Sequence, residues 1–220
     1  MGFLKRLMKG RGPEMYTEEE FDAVENHIDR CFGHVENVFH ELVSPDIHVD
    51  IEVVEPAPGR NFYTLVTVGM GAHRMKMPRD LRGCDLERAE LLICLPPDWN
   101  IESDEERWYW PLRWLKIMAR IPIEERSWVG YGHTASDGEK FAENTGFTAV
   151  MAVMPDAFGE DSRCCEMPDG GEVNFFQLVP LFDDELNLKS ATCAEDLEDL
   201  FKKKGVGHVV DIARRSVCRV

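Results

Sequence analysis

Leu91-Leu92-Ile93-Cys94-Leu95 is an uninterrupted apolar run that stops at Pro96-Pro97. A strand with one face in water alternates apolar and polar residues, and this run does not alternate, so we expect both of its faces to be covered. A second strongly apolar strand is predicted over residues 173–181. Such strands occupy the middle of a sheet that has other layers above and below it.

Helices are predicted before and after these strands. Thr17 and Glu20 have the spacing of a capping box, and apolar residues follow at steps of three and four until Ser44-Pro45 ends the helix. The apolar side of this predicted helix is formed by Phe21, Val24, Ile28, Cys31, Val35, Phe39 and Leu42.

Two further helices are predicted from the same signals. Ser103 and Glu106 predict the start of the second and Pro122 its end, and its buried side carries Trp108, Leu112, Leu115 and Ala119. Thr192 and Glu195 predict the start of the last helix, which Gly205 ends. The sequence therefore predicts an α+β fold, with a mixed β-sheet sandwiched between helices in three layers, α/β/α. We predict one domain over residues 16–215, after a basic N-terminal extension, residues 1–15.

The segment from Asp46 to Val54 alternates. Its apolar positions are Ile47, Val49, Ile51 and Val53, and its polar positions are Asp46, His48, Asp50 and Glu52. Period two predicts a half-buried strand whose polar side faces solvent. Residues 56–59 predict a turn, and residues 62–68 return as the second strand of a hairpin.

Composition restricts the class of partner. The chain has 220 residues and a formal net charge of −16, which argues against nucleic acid and anionic membranes and favours a basic protein or peptide. Its seven cysteines are an odd number without a Cys-x-x-Cys spacing, which indicates free thiols in a reducing cytoplasm. We expect no secretion signal and no membrane-spanning segment, since no apolar run is long enough.

Residues 64–74 carry an apolar strand into Gly69-Met70-Gly71, which is how dinucleotide-binding loops begin. Arg74 stands where the third glycine is required, and Pro78 lies where the crossover helix would run. We therefore favour a tight turn after a buried strand over a nucleotide site, and we predict no cofactor.

Two residue sets could carry chemistry. Asp46, His48 and Asp50 would share one strand face, and such a row can bind zinc or manganese, although a solvated strand face is the interpretation that we favour. Cys94 with His73 or His133 could form a Cys–His hydrolase, but an apolar strand disfavours a reactive thiolate. The chain contains no Gly-x-Ser-x-Gly, His-Glu-x-x-His or Walker motif, so we predict no catalytic or metal-binding residues.

Aromatic residues point to a binding surface. Trp108, Trp110, Trp114 and Trp128 are concentrated in one short region, and Trp110 and Trp114 fall partly off the predicted buried side. Exposed tryptophans anchor protein partners, whereas burial against the sheet is the alternative that we favour. Residues 128–133 predict a strand whose glycines leave room for another backbone, so that a ligand peptide could add a strand there.

Several stretches, in this order and spacing, carry a family resemblance. They include Ser44-Pro45-Asp46-Ile47-His48-Val49-Asp50-Ile51 and Trp110-Pro111-Leu112-Arg113-Trp114-Leu115. The others are residues 63–67 and 71–75, 88–96, 173–181 and 184–186, and 210–215. On these residues the chain resembles the suppressor of fused family and looks like a bacterial member of it.

The resemblance implies an α+β domain with a sheet between helices and no known catalytic activity. Animal relatives bind a transcription factor, a short extended peptide of which enters as an extra strand gripped by two lobes, and this chain is similar to the first lobe only. Bacterial members look like immunity or antitoxin-type proteins. The resemblance transfers no ligand-contact residue to this chain.

We therefore predict a non-enzymatic, cytoplasmic protein-binding module that neutralises a partner, as an immunity or antitoxin-type protein does, by binding its surface. The partner is expected to be a basic protein or extended peptide. The predicted partner-binding residues are Trp128, Tyr131, His133, Asp46, His48 and Asp50. One alternative is a metal-dependent or cysteine hydrolase that uses the acidic row or Cys94, and another is a scaffold that oligomerises through an edge strand.

Overall fold

The computed structural model describes residues 12–219, and most of the predicted N-terminal extension lies outside them. One eight-stranded sheet is surrounded by four α-helices within this range. The strands are β1 (Val35–Phe39), β2 (Asp50–Val54), β3 (Tyr63–Val68), β4 (Ala89–Leu95), β5 (Thr134–Ser136), β6 (Ala149–Val153), β7 (Cys164–Glu166) and β8 (Glu172–Leu181). The helices are α1 (Glu18–Cys31), α2 (Glu106–Glu124), α3 (Asp183–Ala191) and α4 (Ala194–Lys204).

The sheet is mixed, as predicted. Its strands follow the order β1-β2-β3-β4-β8-β6-β5, and β7 pairs with the beginning of β8. β4 and β8 are parallel, with Leu91 opposite Phe176, and all the other pairs are antiparallel. β1 and β5 therefore end this strand order, and β7, which pairs with β8 alone, is a further edge of the described sheet.

β4 shows why both faces of the sheet are covered. All its residues are buried, and alternate side chains point to opposite layers. Leu91 and Ile93 belong to the same buried cluster as Leu115 of α2, whereas Leu92 belongs to the cluster that contains Ile28 of α1. α4 covers β6 and the end of β8 on the side opposite α2. The predicted three-layer arrangement is confirmed.

The first helix is shorter than predicted. The capping box of Thr17 and Glu20 is present at its start. The helix ends at Cys31, because Gly33 adopts a φ of 119° and the N–H groups of Phe32 and Gly33 both donate to the Ile28 carbonyl. The prediction of a helix as far as Leu42 is therefore wrong, and its second half forms the edge strand β1.

The second helix differs from its prediction at both ends. It begins at Glu106, and the Ser103 hydroxyl accepts a hydrogen bond from Glu105 N–H without capping the helix. Pro122 lies inside the last turn, which continues to Glu124. Trp110 and Trp114 are 0% and 1% exposed, and rings from the segment between β5 and β6 pack against them, so burial is confirmed and neither tryptophan is available to a partner.

The last helix begins at Ala194 and ends at Lys204, followed by the cap residue Gly205 with a φ of 74°. Thr192 does not cap it, since its hydroxyl donates to the Leu188 carbonyl of α3. After this helix, Val209 forms a single parallel bridge with Cys94 of β4. Within residues 12–219, no helix combines the length and the apolar character needed to cross a membrane.

The predicted hairpin is present as β2 and β3, with Glu52 opposite Val66. Its polar face is not solvated throughout. Glu52 is 1% exposed, because α1 packs over this part of the sheet, while Asp50 at the start of the strand stays half-buried. The expectation of a solvent-facing side is therefore wrong at Glu52.

Candidate partner-binding site

The six predicted partner-binding residues fall into two separate groups. Asp50 begins β2, and His48 and Asp46 precede it. Trp128, Tyr131 and His133 lie just before β5, which is at the other side of the sheet. The structure does not bring the two groups together, so they form two surfaces.

Residues 128–133 form a turn, and the predicted strand is wrong. The Trp128 and His133 rings pack edge to face with centroids 4.1 Å apart, across a backbone that contains Gly130 and Gly132. A Cβ on Gly130 would lie 2.7 Å from the Trp128 ring, and Gly132 has a φ of 76°. The glycines therefore let the Trp128 ring pack against the backbone of its own turn. The space that we expected another backbone to enter is filled by this ring.

The unpaired edge lies one step further along the chain, in β5. Thr134 pairs with Met151 and Ser136 with Ala149, which occupies only the β6 side of the strand. Two more hydrogen bonds extend this pairing backwards, from Gly132 N–H to the Ala152 carbonyl and from Ala152 N–H to the His133 carbonyl. The outer side of β5 has no neighbouring strand in the described sheet, and such an edge can pair with an added strand.

An acidic cavity of about 330 Å³ includes Tyr131, which lies shortly before β5 in the chain. The Tyr131 hydroxyl donates to the Glu198 carboxylate of α4 at its wall. The cavity is lined by Tyr131, Met154, Asp156, Glu195, Glu198, Asp199 and Lys202. Four carboxylates against one lysine give it a negative potential, which suits a cationic side chain, and the Tyr131 ring offers an aromatic face as well.

The titration of the two neighbouring rings follows from their environment. Burial raises the pKa of the Tyr131 phenol, and the hydrogen bond to Glu198 and its charge raise it further, so the hydroxyl stays a donor. Burial lowers the pKa of His133 below the usual histidine value, which favours the neutral imidazole. The local charge of this surface therefore comes from the carboxylates.

The second group is held by internal contacts. His48 Nε2 lies 3.1 Å and His40 Nδ1 2.9 Å from the two Asp50 carboxylate oxygens, and Glu41 N–H donates to Asp50 at 2.8 Å. Burial raises the pKa of Asp50, but the Glu41 amide and the two histidines outweigh it and lower the pKa below its usual value. This carboxylate is therefore ionised and already occupied by partners.

Asp46 does not join this group. It precedes β2, and its carboxylate accepts the N–H of Ile47 and lies 3.4 Å from Arg120 of α2, which makes a shorter ion pair with Glu41 at 2.7 Å. The prediction that Asp46, His48 and Asp50 share one strand face is wrong. Within the part of the chain that the structure describes, no three His, Cys, Asp or Glu side chains are placed as metal ligands.

The environment of Cys94 argues against the hypothesis of a cysteine hydrolase. The thiol is 0% exposed in the middle layer, and burial raises its pKa to about 12. A protonated thiol without access to solvent is a poor nucleophile. His73 is engaged elsewhere, with Nδ1 at 3.0 Å from the Glu14 carboxylate.

The Gly-x-Gly loop binds a carboxylate of its own chain. The N–H groups of Gly69 and Gly71 donate to Glu90 Oε1 at 2.9 Å and 3.0 Å, the Tyr16 hydroxyl donates to the same oxygen at 2.6 Å, and the Thr67 hydroxyl donates to Oε2 at 2.6 Å. Burial raises the pKa of Glu90, and these hydrogen bonds offset part of that effect. The position in which a phosphate would accept N–H groups is therefore filled, and the tight-turn interpretation is supported.

Sequence reasoning missed the acidic part of the site. Glu195, Glu198 and Asp199 lie at helical spacings of three and four on α4, which places them on one side of the helix. That pattern was available in the sequence. The contact between this row and Tyr131, which the sequence did single out, could not be predicted, because it depends on the packing of Gly132 against Ala194 of α4.

Sequence comparison gives one family. A model described as Suppressor of fused protein (SUFU) matches residues 45–215. An uncharacterized protein of Ureaplasma parvum serovar 3, UU111, is 24% identical over 204 residues, which cover 91% of this chain and 96% of that protein.

Solved structures with the same fold include three of this family. The chain is 18% identical to a SUFU homolog from Neisseria gonorrhoeae FA 1090, with a TM-score of 0.65 over 93% of this chain and 100% of that one. The crystal structure of a Sufu–Fu complex gives a TM-score of 0.66 at 16% identity, over 94% of this chain and 93% of the matched one. Drosophila Suppressor of Fused gives 0.65 at 16% identity, where 94% of this chain covers 54% of the Drosophila chain.

Proposed function

This chain belongs to the suppressor of fused family, and from that membership we propose that it is a non-enzymatic module that binds another polypeptide. A suppressor of fused protein forms a complex with Fu, which is the kind of activity that the proposal extends to this chain. The observation that carries it is the unpaired edge of β5 beside the acidic cavity of Tyr131 and α4.

The binding mode that we propose is strand addition at β5. Backbone groups on its outer side have no partner strand in the described sheet, and an extended peptide can satisfy them while its alternate side chains enter adjacent pockets. The cavity beside Tyr131 is such a pocket. It would receive a lysine or arginine side chain of the peptide, next to Glu195, Glu198 and Asp199.

Charge supports a basic partner. A net charge of −16 attracts a basic protein from a distance and increases its association rate, most strongly at low salt. The same charge repels nucleic acids and anionic membranes, so we propose neither as a partner. The seven cysteines are all free thiols, which fits a reducing compartment, and we propose the cytoplasm.

We propose further that binding neutralises the partner, as in an immunity or antitoxin-type protein. A module without its own chemistry acts on a toxin by covering the surface that the toxin needs. This finer role depends on the identity of the partner, and it has its own test: co-expression of the captured protein with this chain should restore the growth of cells that the captured protein alone inhibits.

Affinity capture with matched variants tests the binding site. The full chain is used to capture proteins from its source cells at low salt, and the bound proteins are quantified by mass spectrometry. Glu198→Lys with Asp199→Lys reverses the charge of the cavity, and we expect it to remove the specific partner. Glu102→Lys with Asp104→Lys makes the same charge change at exposed positions before α2 and should retain it. Equal capture by both variants would contradict the proposed site.

A further inference from the structure

The end of the chain is basic although the protein is acidic. Residues 202–220 contain six lysines and arginines and a single acidic residue, Asp211, whereas the whole chain has 25 basic and 41 acidic residues. Three of the basic residues follow one another at the end of α4, where they also complement the helix dipole. The dipole explains Lys202–Lys204, but it does not explain the arginines that follow.

The fold gathers part of this charge around one cavity of about 370 Å³. Lys204, His208, Arg215 and Arg219 line it, together with the apolar side chains of Val179 and Val206. Asp211 is its single acidic lining residue. The volume falls in the range of small-molecule sites, and the combination of apolar wall and cationic rim suits an organic anion.

The segment that carries the arginines is fixed in place. Arg214 makes a two-point ion pair with Glu185 of α3, with N–O distances of 2.6 Å and 2.7 Å, and also donates to the Pro180 carbonyl. The Val217 N–H donates to the same Glu185 carboxylate at 2.9 Å. Glu185 is completely buried, so this contact anchors the segment on both sides of Arg215 and holds the cavity open before any ligand binds.

Two cationic side chains and two backbone N–H groups of the residues that line the cavity have no partner among residues 12–219. Arg219 lies 3.5 Å from Asp184, but Lys204 and Arg215 have no carboxylate within ion-pair distance among residues 12–219. The N–H groups of Gly207 and His208, in the loop after α4, likewise donate to no protein acceptor in that range. In a chain with an excess of carboxylates, these exposed cations and unpaired amides belong to residues that line one cavity, so they are available to an anion from outside.

We propose that this cavity binds the phosphate group of a small organic phosphate. Lys204 and Arg215 supply the charge, the loop amides at Gly207 and His208 supply directed donors, and Val179 and Val206 contact the organic part. A phosphate monoester carries close to two charges at neutral pH, so it gains more from this arrangement than a carboxylate does.

NMR of the full chain with labelled histidine rings tests the proposal. The His208 ring packs against Phe62 and Phe158, which do not line the cavity, and burial lowers its pKa. A phosphate held at the His208 amide should raise that pKa through its negative charge, so the ring reports occupancy from next to the cavity. Inorganic phosphate, glycerol 1-phosphate and a short phosphoserine peptide are titrated at constant ionic strength, with chloride as the reference anion. We expect a saturable shift of the His208 ring with both small phosphates, at a lower concentration for glycerol 1-phosphate.

Matched variants separate a site from general attraction. Lys204→Gln with Arg215→Gln should weaken glycerol 1-phosphate binding by about tenfold or more. Lys202→Gln with Lys203→Gln removes the same number of charges from residues that do not line the cavity, and it should stay within about twofold of the original protein. Thermal unfolding confirms that the variants fold.

Three results would overturn the proposal. A response that is linear in phosphate concentration, or equal for chloride, means that there is no built site. Equal weakening by Lys202→Gln with Lys203→Gln means that the attraction is unspecific. If a phosphoserine peptide binds about tenfold more tightly than glycerol 1-phosphate, the ligand of the cavity is a phosphorylated protein side chain. The proposal of a small organic phosphate is then wrong.

Discussion

Asp50 and Glu52 lie two positions apart on the same face of β2, and their environments move their pKa values in opposite directions. Asp50 accepts hydrogen bonds from the Glu41 amide and from His40. Glu52 is buried beneath α1, and its Oε2 has no hydrogen-bond partner in residues 12–219. Burial raises the pKa of Glu52 to about 8, with further contributions from Glu25, Glu90 and Asp50.

Glu52→Gln should make the protein more stable at alkaline pH. The native pKa of about 8 exceeds the ordinary value of 4.5, so the native state binds the proton more tightly and the free energy of unfolding falls as the pH rises between these values. The glutamine variant does not lose stability in this way. At pH 9 its free energy of unfolding should exceed that of the original chain by an amount that approaches a limit of roughly 5 kcal/mol. Urea unfolding at a series of pH values measures it, and a constant difference from pH 4 to pH 9 would contradict it.

Asp50→Asn should show the opposite dependence. The native pKa of Asp50 is below its ordinary value of 3.8, so its carboxylate stabilises the folded protein above that pH, and the contribution is lost as the pH falls through the native pKa. The variant should therefore be less stable than the original chain at pH 7, and the difference should shrink in acid. The same unfolding series provides the measurement.

Gly69→Ala should be strongly destabilising. Gly69 has a φ of 119°, and an added Cβ would lie 2.0 Å from the His48 carbonyl oxygen. Gly59 has a φ of 86° with open space around it, so Gly59→Ala isolates the backbone cost of about 1 kcal/mol. We expect a loss above about 3 kcal/mol at Gly69, measured by chemical denaturation. Similar losses at the two glycines would mean that the contact with His48 relaxes freely.

Trp110→Ala should cost about 3–5 kcal/mol of unfolding free energy. Trp110 of α2 is 0% exposed, and the centroid of its ring lies 5.2 Å from that of Phe141. Truncation therefore leaves a cavity between α2 and the segment that joins β5 to β6. Ile117→Ala, on the same helix but 37% exposed, should cost less than about 1 kcal/mol. A small loss at Trp110 would indicate that the segment between β5 and β6 packs loosely on α2.

Cys94 should resist thiol reagents in the folded protein. Cys84 and Cys193 are exposed and should react at once, whereas Cys94 becomes accessible only when the sheet opens. Site-resolved mass spectrometry after labelling should show Cys94 modified at least about a thousandfold more slowly than Cys84. Comparable rates at the two cysteines would reopen the possibility of a reactive thiol in β4.

The layers of the fold could be predicted because their signals are local. β4 is apolar at nearly every position and needs cover on both faces, and the capping box at Thr17 lies within four residues of sequence. The end of α1 could not be predicted from periodicity, since Val35 and Phe39 keep the helical spacing although they lie in β1. Gly33 ends the helix, and its positive-φ conformation is stabilised by hydrogen bonds to the Ile28 carbonyl.

The candidate site was less predictable because it depends on contacts between distant segments. Glycines near an aromatic ring suggested an open strand at residues 128–133, but the Trp128 ring occupies that space itself. Asp46 keeps the period-two spacing with His48, yet it lies before β2, and its carboxylate is 3.4 Å from Arg120 of α2. The Tyr131–Glu198 contact joins residues 67 positions apart, which no local pattern encodes.

The meeting of Tyr16 and the glycine loop on the Glu90 carboxylate has a mechanical consequence. Because Glu90 belongs to β4, the residues that lead into α1 are fastened to an inner strand of the sheet. A load applied ahead of Gly12 therefore reaches an inner strand of the sheet through this hydrogen bond, as well as through the pairing of Glu14 with Asp46 and His48. Stretching the molecule from that end should require more force in the original chain than in Tyr16→Phe.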